Sequence, residues 1–146
     1  MAKYSFQYTV DPELAYSPAF PDGRRIARPI LSITLVNGDK RVSGQAIVDC
    51  GADYCLFPKS WMDLLGIDPK DAPLDTTTGV GAQTQTHFYR VAMEIEGVAG
   101  SFPLYAGFPT QGTLSEMNVG FLGFLGFFDR FFVALDGPHG VFGIED

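Results

Sequence analysis

Positive charge is scarce in this chain: 10 lysines and arginines stand against 17 aspartates and glutamates, for a formal net charge of -7 over 146 residues. No basic tract could follow a phosphate backbone, which argues against nucleic acid as a partner. The nearest approach to a cluster, Arg24, Arg25 and Arg28, reads as a solvated face. Cysteine is nearly absent, with only Cys50 and Cys55. They lie too close in sequence to close a long stabilising loop, and no secretory signal precedes them. Free thiols in a reducing, cytoplasmic setting are therefore expected. The two histidines, His87 and His139, complete no recognisable zinc spacing with them, so no metal is expected. No uninterrupted apolar run reaches the roughly 20 residues that span a bilayer. The Phe-rich stretch from Phe121 to Leu135 is broken by Asp129 and Arg130. Gly79-Val80-Gly81 lacks the lysine, the further glycine and the following helix of a phosphate loop. Internal repeats, low-complexity tracts and linkers are missing too.

What the chain has in quantity is turn formers and aromatics: 17 Gly, 10 Pro, 13 Phe and 6 Tyr. This mixture points to many short strands and tight turns rather than to a helical bundle. At 46% hydrophobic, 146 residues suffice for one domain with a real core.

One stretch organises the rest, Gln45-Ala46-Ile47-Val48-Asp49-Cys50-Gly51-Ala52-Asp53-Tyr54-Cys55-Leu56-Phe57-Pro58. An apolar run ends abruptly at Asp49, passes through small residues and resumes at Cys55. The pattern predicts a strand, a tight loop and a second strand. Asp49 is then a carboxylate at a strand end, half out of an apolar setting, where acid–base chemistry can be built. The plainer account is an ordinary turn, with Asp49 accepting a bond from the backbone two residues on.

Around this stretch the alternation of Tyr4, Phe6, Tyr8 and Val10 predicts a strand over Lys3–Val10, and the prolines and glycine of Asp11–Gly23 predict a loop. Arg28–Val36 and Lys40–Val48 read as a hairpin about Asn37-Gly38. Lys59–Gly66 reads as a short helix with Trp61, Leu64 and Leu65 at helical spacing. Residues from Thr76 to Val91 suggest a hairpin tipped by Gly79-Val80-Gly81. Further strands are expected at Val91–Glu96 and Ser101–Tyr105, with Ala106–Asn118 a loop. After Val119–Gly123, Phe124–Phe131 reads as a second short helix, and Phe132–Leu135 and Val141–Ile144 as closing strands.

Three of these stretches, in this order, resemble the retropepsin-like aspartic proteases, in particular single-domain bacterial-type members. Val48-Asp49-Cys50-Gly51-Ala52-Asp53 resembles the family's Asp-Thr/Ser-Gly-Ala signature. Thr78-Gly79-Val80-Gly81 stands where the family carries its flap. Phe121-Leu122-Gly123, with the residues to Phe131, looks like its apolar-apolar-Gly motif and following helix. The resemblance implies an all-β, partly closed acid-protease barrel with one or two short helices. It implies a single domain over residues 1–146, with residues 1–28 an N-terminal strand and loop and residues 29–146 the core. It further implies a homodimeric endopeptidase without cofactor, acting on extended peptides or proteins. Asp49 would be catalytic, and Cys50, Gly51, Ala52 and Asp53 its loop. Thr78, Gly79, Val80 and Gly81 would close on substrate, and Phe121, Leu122 and Gly123 would support the loop from beneath.

Two positions depart from the family pattern. Cys50 replaces the signature hydroxyl, and a thiol is a weaker hydrogen-bonding group. Phe124 replaces a polar residue that reaches toward the acid here numbered Asp53, leaving Arg130 as a substitute partner or, more plainly, as half of a surface Asp129–Arg130 pair. The same fold with little or no catalysis, serving as a peptide- or protein-binding module, is the alternative these departures suggest. A barrel binding a small apolar ligand would rest on aromatic content alone, which core packing already accounts for.

Overall fold

The computed structural model describes residues 2–79 and 82–146. Fourteen strands and one α-helix follow one another among them. The N-terminal part contains β1 (Lys3–Gln7), β2 (Thr9–Val10), β3 (Ala15–Ser17), β4 (Phe20–Arg24) and β5 (Ala27–Arg28). The middle contains β6 (Ile30–Asn37), β7 (Lys40–Val48), β8 (Cys55–Leu56), α1 (Lys59–Leu64), β9 (Leu74–Gly79) and β10 (Ala82–Ile95). The chain then runs through β11 (Phe102–Pro109), β12 (Gly120–Leu122), β13 (Phe132–Asp136) and β14 (Val141–Glu145).

Six of these strands close a barrel in the order β6, β7, β12, β8, β11 and β10, with β10 pairing both β11 and β6. The all-β expectation is met. The β6–β7 hairpin turns where Asn37-Gly38 predicts, with Asn37 opposite Lys40 and Gly38 at φ 61°. Alternation along β6 drives its burial: Leu31, Ile33 and Leu35 are enclosed while Ser32 is exposed. On β7, Val42, Ala46 and Val48 face the same core, so the strand is held along its length before it delivers Asp49.

The helix α1 lies where it was expected and buries Trp61 and Met62, with Leu65 enclosed just past its end, whereas Leu64, read on the same apolar face, is exposed. Gly66, just past its end, takes φ 66°, a left-handed position that costs glycine little. Trp61 lies so close over Gly44 that a Cβ there would come within 2.3 Å of its Cζ2 atom. That contact fastens the helix to the strand that carries Asp49. No helix among the described residues is long and apolar enough to cross a membrane.

Several expectations need correction. The proline-rich segment 11–23 is not wholly a loop, because β3 and β4 pair within it as an exposed hairpin, so residues 1–28 hold more than one strand and a loop. Ala106–Pro109 continues β11 instead of starting a loop, since Gly107 permits close packing of Leu56 and Phe88 that a Cβ would obstruct. The stretches read separately as Gln83–Val91 and Val91–Glu96 form one continuous strand, β10. Phe124–Phe131 is a compact turn, not an α-helix. Its amides reach back over unequal spans, Phe128 to Gly123, Asp129 to Phe124 and Phe131 to Phe127, and Gly126 sits at φ 106°. The Asp129 carboxylate stabilises this turn by accepting the Gly126 N–H at 3.0 Å.

Candidate active site

Asp49 stands at the point where three distant parts of the chain meet. Strand β12 lies parallel to β7, Leu122 opposite Val48, and antiparallel to β8, Phe121 opposite Leu56. The strand that precedes the loop and the strand that follows it are thus separated by a wedge from the last third of the sequence. The Asp49 N–H donates to the Leu122 carbonyl at 3.0 Å. Beyond the wedge, the Phe124 and Leu125 amides donate to the carbonyls of Ala52 and Asp53 at 2.8 and 2.9 Å. Gly123 makes this close approach possible. A Cβ at this position would come within 2.3 Å of the Tyr54 carbonyl oxygen and 2.6 Å of that of Ala52. Phe121, Leu122 and Gly123 therefore lie against the loop from Asp49 to Tyr54.

Inside the loop, Asp49 Oδ1 accepts the Gly51 N–H at 2.9 Å, and the Ala52 amide closes a turn onto the Asp49 carbonyl at 3.2 Å. The ordinary turn chemistry foreseen for Asp-x-Gly is present, and it uses only Oδ1. Asp49 is half-buried and opens into a cleft of about 240 Å³. Gly51, Ala52, Asp53 and Tyr54 line one side and Thr77, Thr78 and Leu114 the other, with Leu56 and Phe121 completing it. No Lys, Arg or His is among these lining residues.

Thr78 thus faces the cleft from the hairpin of β9 and β10, where the flap was expected, and Gly79 pairs with Ala82 near the hairpin's tip. Val80 and Gly81, the other two flap positions, lie outside the described residues. The hairpin is tied along its middle by hydroxyls. Thr77, Thr84 and Thr86 are buried, with Thr77 and Thr86 sharing a hydrogen bond at 2.9 Å, and Thr84 donates to the Gln111 carbonyl. Sequence reasoning missed Tyr54, Leu56, Thr77 and Leu114. Neighbouring residues on a strand point to opposite faces, so Thr78 gave no sign of Thr77, which is buried while Thr78 is exposed. Leu114 sits in a short 3-10 turn, Thr113–Glu116, which nothing in the residue pattern announced.

The two departures from the family pattern have structural counterparts. Cys50 is exposed at the loop's outer face. It shares a shallow depression of about 550 Å³ with Phe124, Phe128, Phe132 and Val133. Among the described residues Arg130 forms an ion pair with neither Asp53 nor Asp129. Its guanidinium lies instead 4.5 Å from the centre of the Phe102 ring. Neither partner foreseen for Arg130 is therefore engaged. His87 is occupied by the Ala72 carbonyl and His139 by Asp136. Among the described residues no group of three or more His, Cys, Asp or Glu is arranged to hold a metal ion.

Cys55 is fully enclosed, and burial pushes its thiol up to about 12. The thiolate is the reactive form, so at pH 8 Cys55 stays protonated and shielded. Iodoacetamide at that pH should leave Cys55 unmodified in the folded chain and reach it only after denaturation. Peptide mass mapping would read this directly.

No family model matches the chain, and no curated protein matches it. Among solved structures, one described as the crystal structure of a retropepsin-like aspartic protease from Rickettsia conorii superimposes with a TM-score of 0.60 at 14% identity, covering 98% of each chain. Over nearly its whole length, the chain is similar in fold to a retropepsin-like aspartic protease.

Proposed function

We propose that this chain is one subunit of a homodimeric aspartic endopeptidase, with the two Asp49 side chains meeting across the two-fold axis. The observation that carries the reading is a single half-buried carboxylate on a backbone-locked loop, opening into a cleft beneath a hairpin. One such group per subunit is half of a catalytic pair, and symmetry supplies the other half. Two carboxylates held close share one proton, because ionising both is costly. The ionised member takes a proton from a water, whose oxygen bonds to the scissile carbonyl carbon. The protonated member donates to the carbonyl oxygen. As the C–N bond breaks, the proton gained from water passes to the departing amine, and a hydroxyl of the intermediate returns its proton to the other carboxylate as the carbonyl re-forms. The β9–β10 hairpin excludes bulk water over the extended substrate. One domain spanning the chain, and a cytoplasmic setting, belong to the same proposal.

The apolar surface beside the loop supports the dimer. Phe124 is 55% exposed and Phe132 67% exposed, both beside Cys50. β13 is an edge strand of the sequence Phe-Val-Ala-Leu-Asp, without lysine, proline or glycine to guard it. Analytical ultracentrifugation should show a dimer for the native protein. Phe132→Lys should shift it toward monomer by at least tenfold in dissociation constant and lower peptidase activity in proportion. A monomeric native protein with full activity would remove the paired-carboxylate mechanism.

A second reading is favoured by Cys50. Without the signature hydroxyl, the same cleft would bind an extended peptide and leave it uncut. Binding without turnover in both the native protein and Cys50→Thr would select that reading.

A further inference from the structure

Residues 9–28 form an arm whose strands pair with one another, β2 with β5 and β3 with β4, and with no strand of the barrel. Val10, Leu14, Tyr16, Phe20 and Ile26 are all exposed on it. Scattered exposed apolar side chains are ordinary, but five within one short segment mark a surface built to be covered. The hairpin is a packed unit and not a loose tail. A Cβ at Gly23 would come within 2.8 Å of Leu14 Cγ and 3.0 Å of Tyr16 Cε1. The Arg24 guanidinium lies 5.3 Å from the centre of the Phe20 ring. Among the described residues neither Arg24 nor Arg25 forms an ion pair.

The root of the arm lies beside the candidate active site. The Pro29 carbonyl, just past the arm, accepts the Val48 N–H at 2.9 Å, and Asp49 follows Val48. At the outer face of the same loop lies the depression that Cys50 shares with Phe124, Phe128, Phe132 and Val133, and none of its lining residues comes from the arm. Asp129 lines it too and forms no ion pair among the described residues. Arg130, also in the lining, is turned onto the Phe102 ring. Arm and depression are therefore complementary: a ring carrying a cation on one, aromatic walls with a carboxylate on the other. From Val10 to Pro18 the chain can reach on the order of 20 Å, beyond the roughly 15 Å radius of gyration of a chain this size. The apolar side chains of the arm, with Phe124 and Phe132, expose on the order of 700 Å², close to the roughly 800 Å² that each partner gives a standard interface.

We propose that the arm is exchanged between two copies of this chain, each copy setting its Phe20 ring and Arg24 guanidinium into the depression beside Cys50 of the partner subunit. The ring packs between the aromatic walls, and the guanidinium meets the carboxylate at their edge. The inference rests on the dimer of the proposed function and deepens it. Each arm then runs from Val48 of its own chain to the loop of the other, and two-fold symmetry ties the two Asp49 loops together twice. Release of this clasp separates the carboxylates without unpairing any strand of the barrel, because the arm's strands pair only among themselves.

The test uses the full-length protein. A variant with Ala19→Cys and Cys50→Ser is mixed with the native protein, left to exchange subunits and treated with a short bismaleimide. Ala19 is exposed in the turn between Ser17 and Phe20, and Cys55 is buried. A peptide joining position 19 to Cys50 can then come only from two different chains. Mass mapping should find that peptide, a result independent of how any Phe20 variant folds. Phe20→Ser in the native background should raise the dimer dissociation constant about tenfold in analytical ultracentrifugation. Its peptide hydrolysis should fall in dilute protein and recover on concentration. Absence of the linked peptide from a protein that dimerises overturns the exchange and leaves the paired-carboxylate reading standing. A dimer indifferent to Phe20→Ser does the same and leaves the arm to a different protein. A monomeric native protein overturns both together.

Discussion

Asp49→Asn should lower peptide hydrolysis by at least about a thousandfold while leaving the fold and the dimer in place, since acid–base groups of this kind typically contribute 10²–10⁴ each. The geometry explains why the substitution is a clean probe. Asp49 Oδ1 accepts the Gly51 N–H at 2.9 Å, and an asparagine carbonyl oxygen at the same place also accepts it, as a weaker neutral acceptor. The backbone bonds from Leu122, Phe124 and Leu125 do not involve the side chain and persist. What disappears is the ability to ionise, and with it the base that takes the proton from water. The measurement is a peptide-library digest across acidic to neutral pH, comparing native and substituted proteins. Undiminished cleavage by Asp49→Asn would assign the chemistry to another group.

Gly123→Ala is expected to damage both stability and activity. The added methyl would stand 2.3 Å from the Tyr54 carbonyl oxygen and 2.6 Å from that of Ala52, and both are backbone atoms with no rotamer to give way. Relief requires either β12 or the loop from Ala52 to Tyr54 to move. That loosens the amide bonds from Phe124 and Leu125 that hold the catalytic loop. Overpacking of this kind costs roughly 1–3 kcal/mol. Thermal unfolding should show a fall of several degrees in Tm, and under the proposed peptidase function kcat should fall more than KM rises, because Asp49 is the group displaced. Gly137→Ala is the control: its Cβ meets nothing within 4 Å and its φ is not in the left-handed region, so Tm should scarcely change. Equal melting temperatures for all three proteins would refute the wedge account.

The parts of the fold that could be read from residues are those where local and tertiary preferences agree. β7 runs from Lys40 to Val48, the span its apolar pattern and the Asn37-Gly38 turn mark out. The loop after it and the β12 motif were also legible, because small residues between apolar runs signal close backbone approach. Where long-range pairing decides the outcome, residue patterns misled. Nothing local in Ala106–Pro109 announces that Thr86 to Tyr89 will pair with it. Phe124–Phe131 has helical spacing, yet Gly126 and the amide bonds to Ala52 and Asp53 bend it into a turn. In the cleft, Asp49 and Thr78 could be found from the sequence. The places of Tyr54 and Leu114 in its lining depend on how the barrel closes, which no window of sequence contains.

The insertion of β12 between β7 and β8 also bears on the order in which the chain acquires its site. A polypeptide synthesised only as far as Asn118 carries the aspartate, the flap hairpin and most of the barrel, yet nothing separates Val48 from Leu56 and nothing lies beneath Ala52. Contacts between such remote segments form late, after the costlier loop closures. The wedge that holds the Asp49 loop is therefore withheld from the nascent chain until its last residues, from Val119 onward, have emerged, and prematurely terminated products carry the aspartate on a loop without its support.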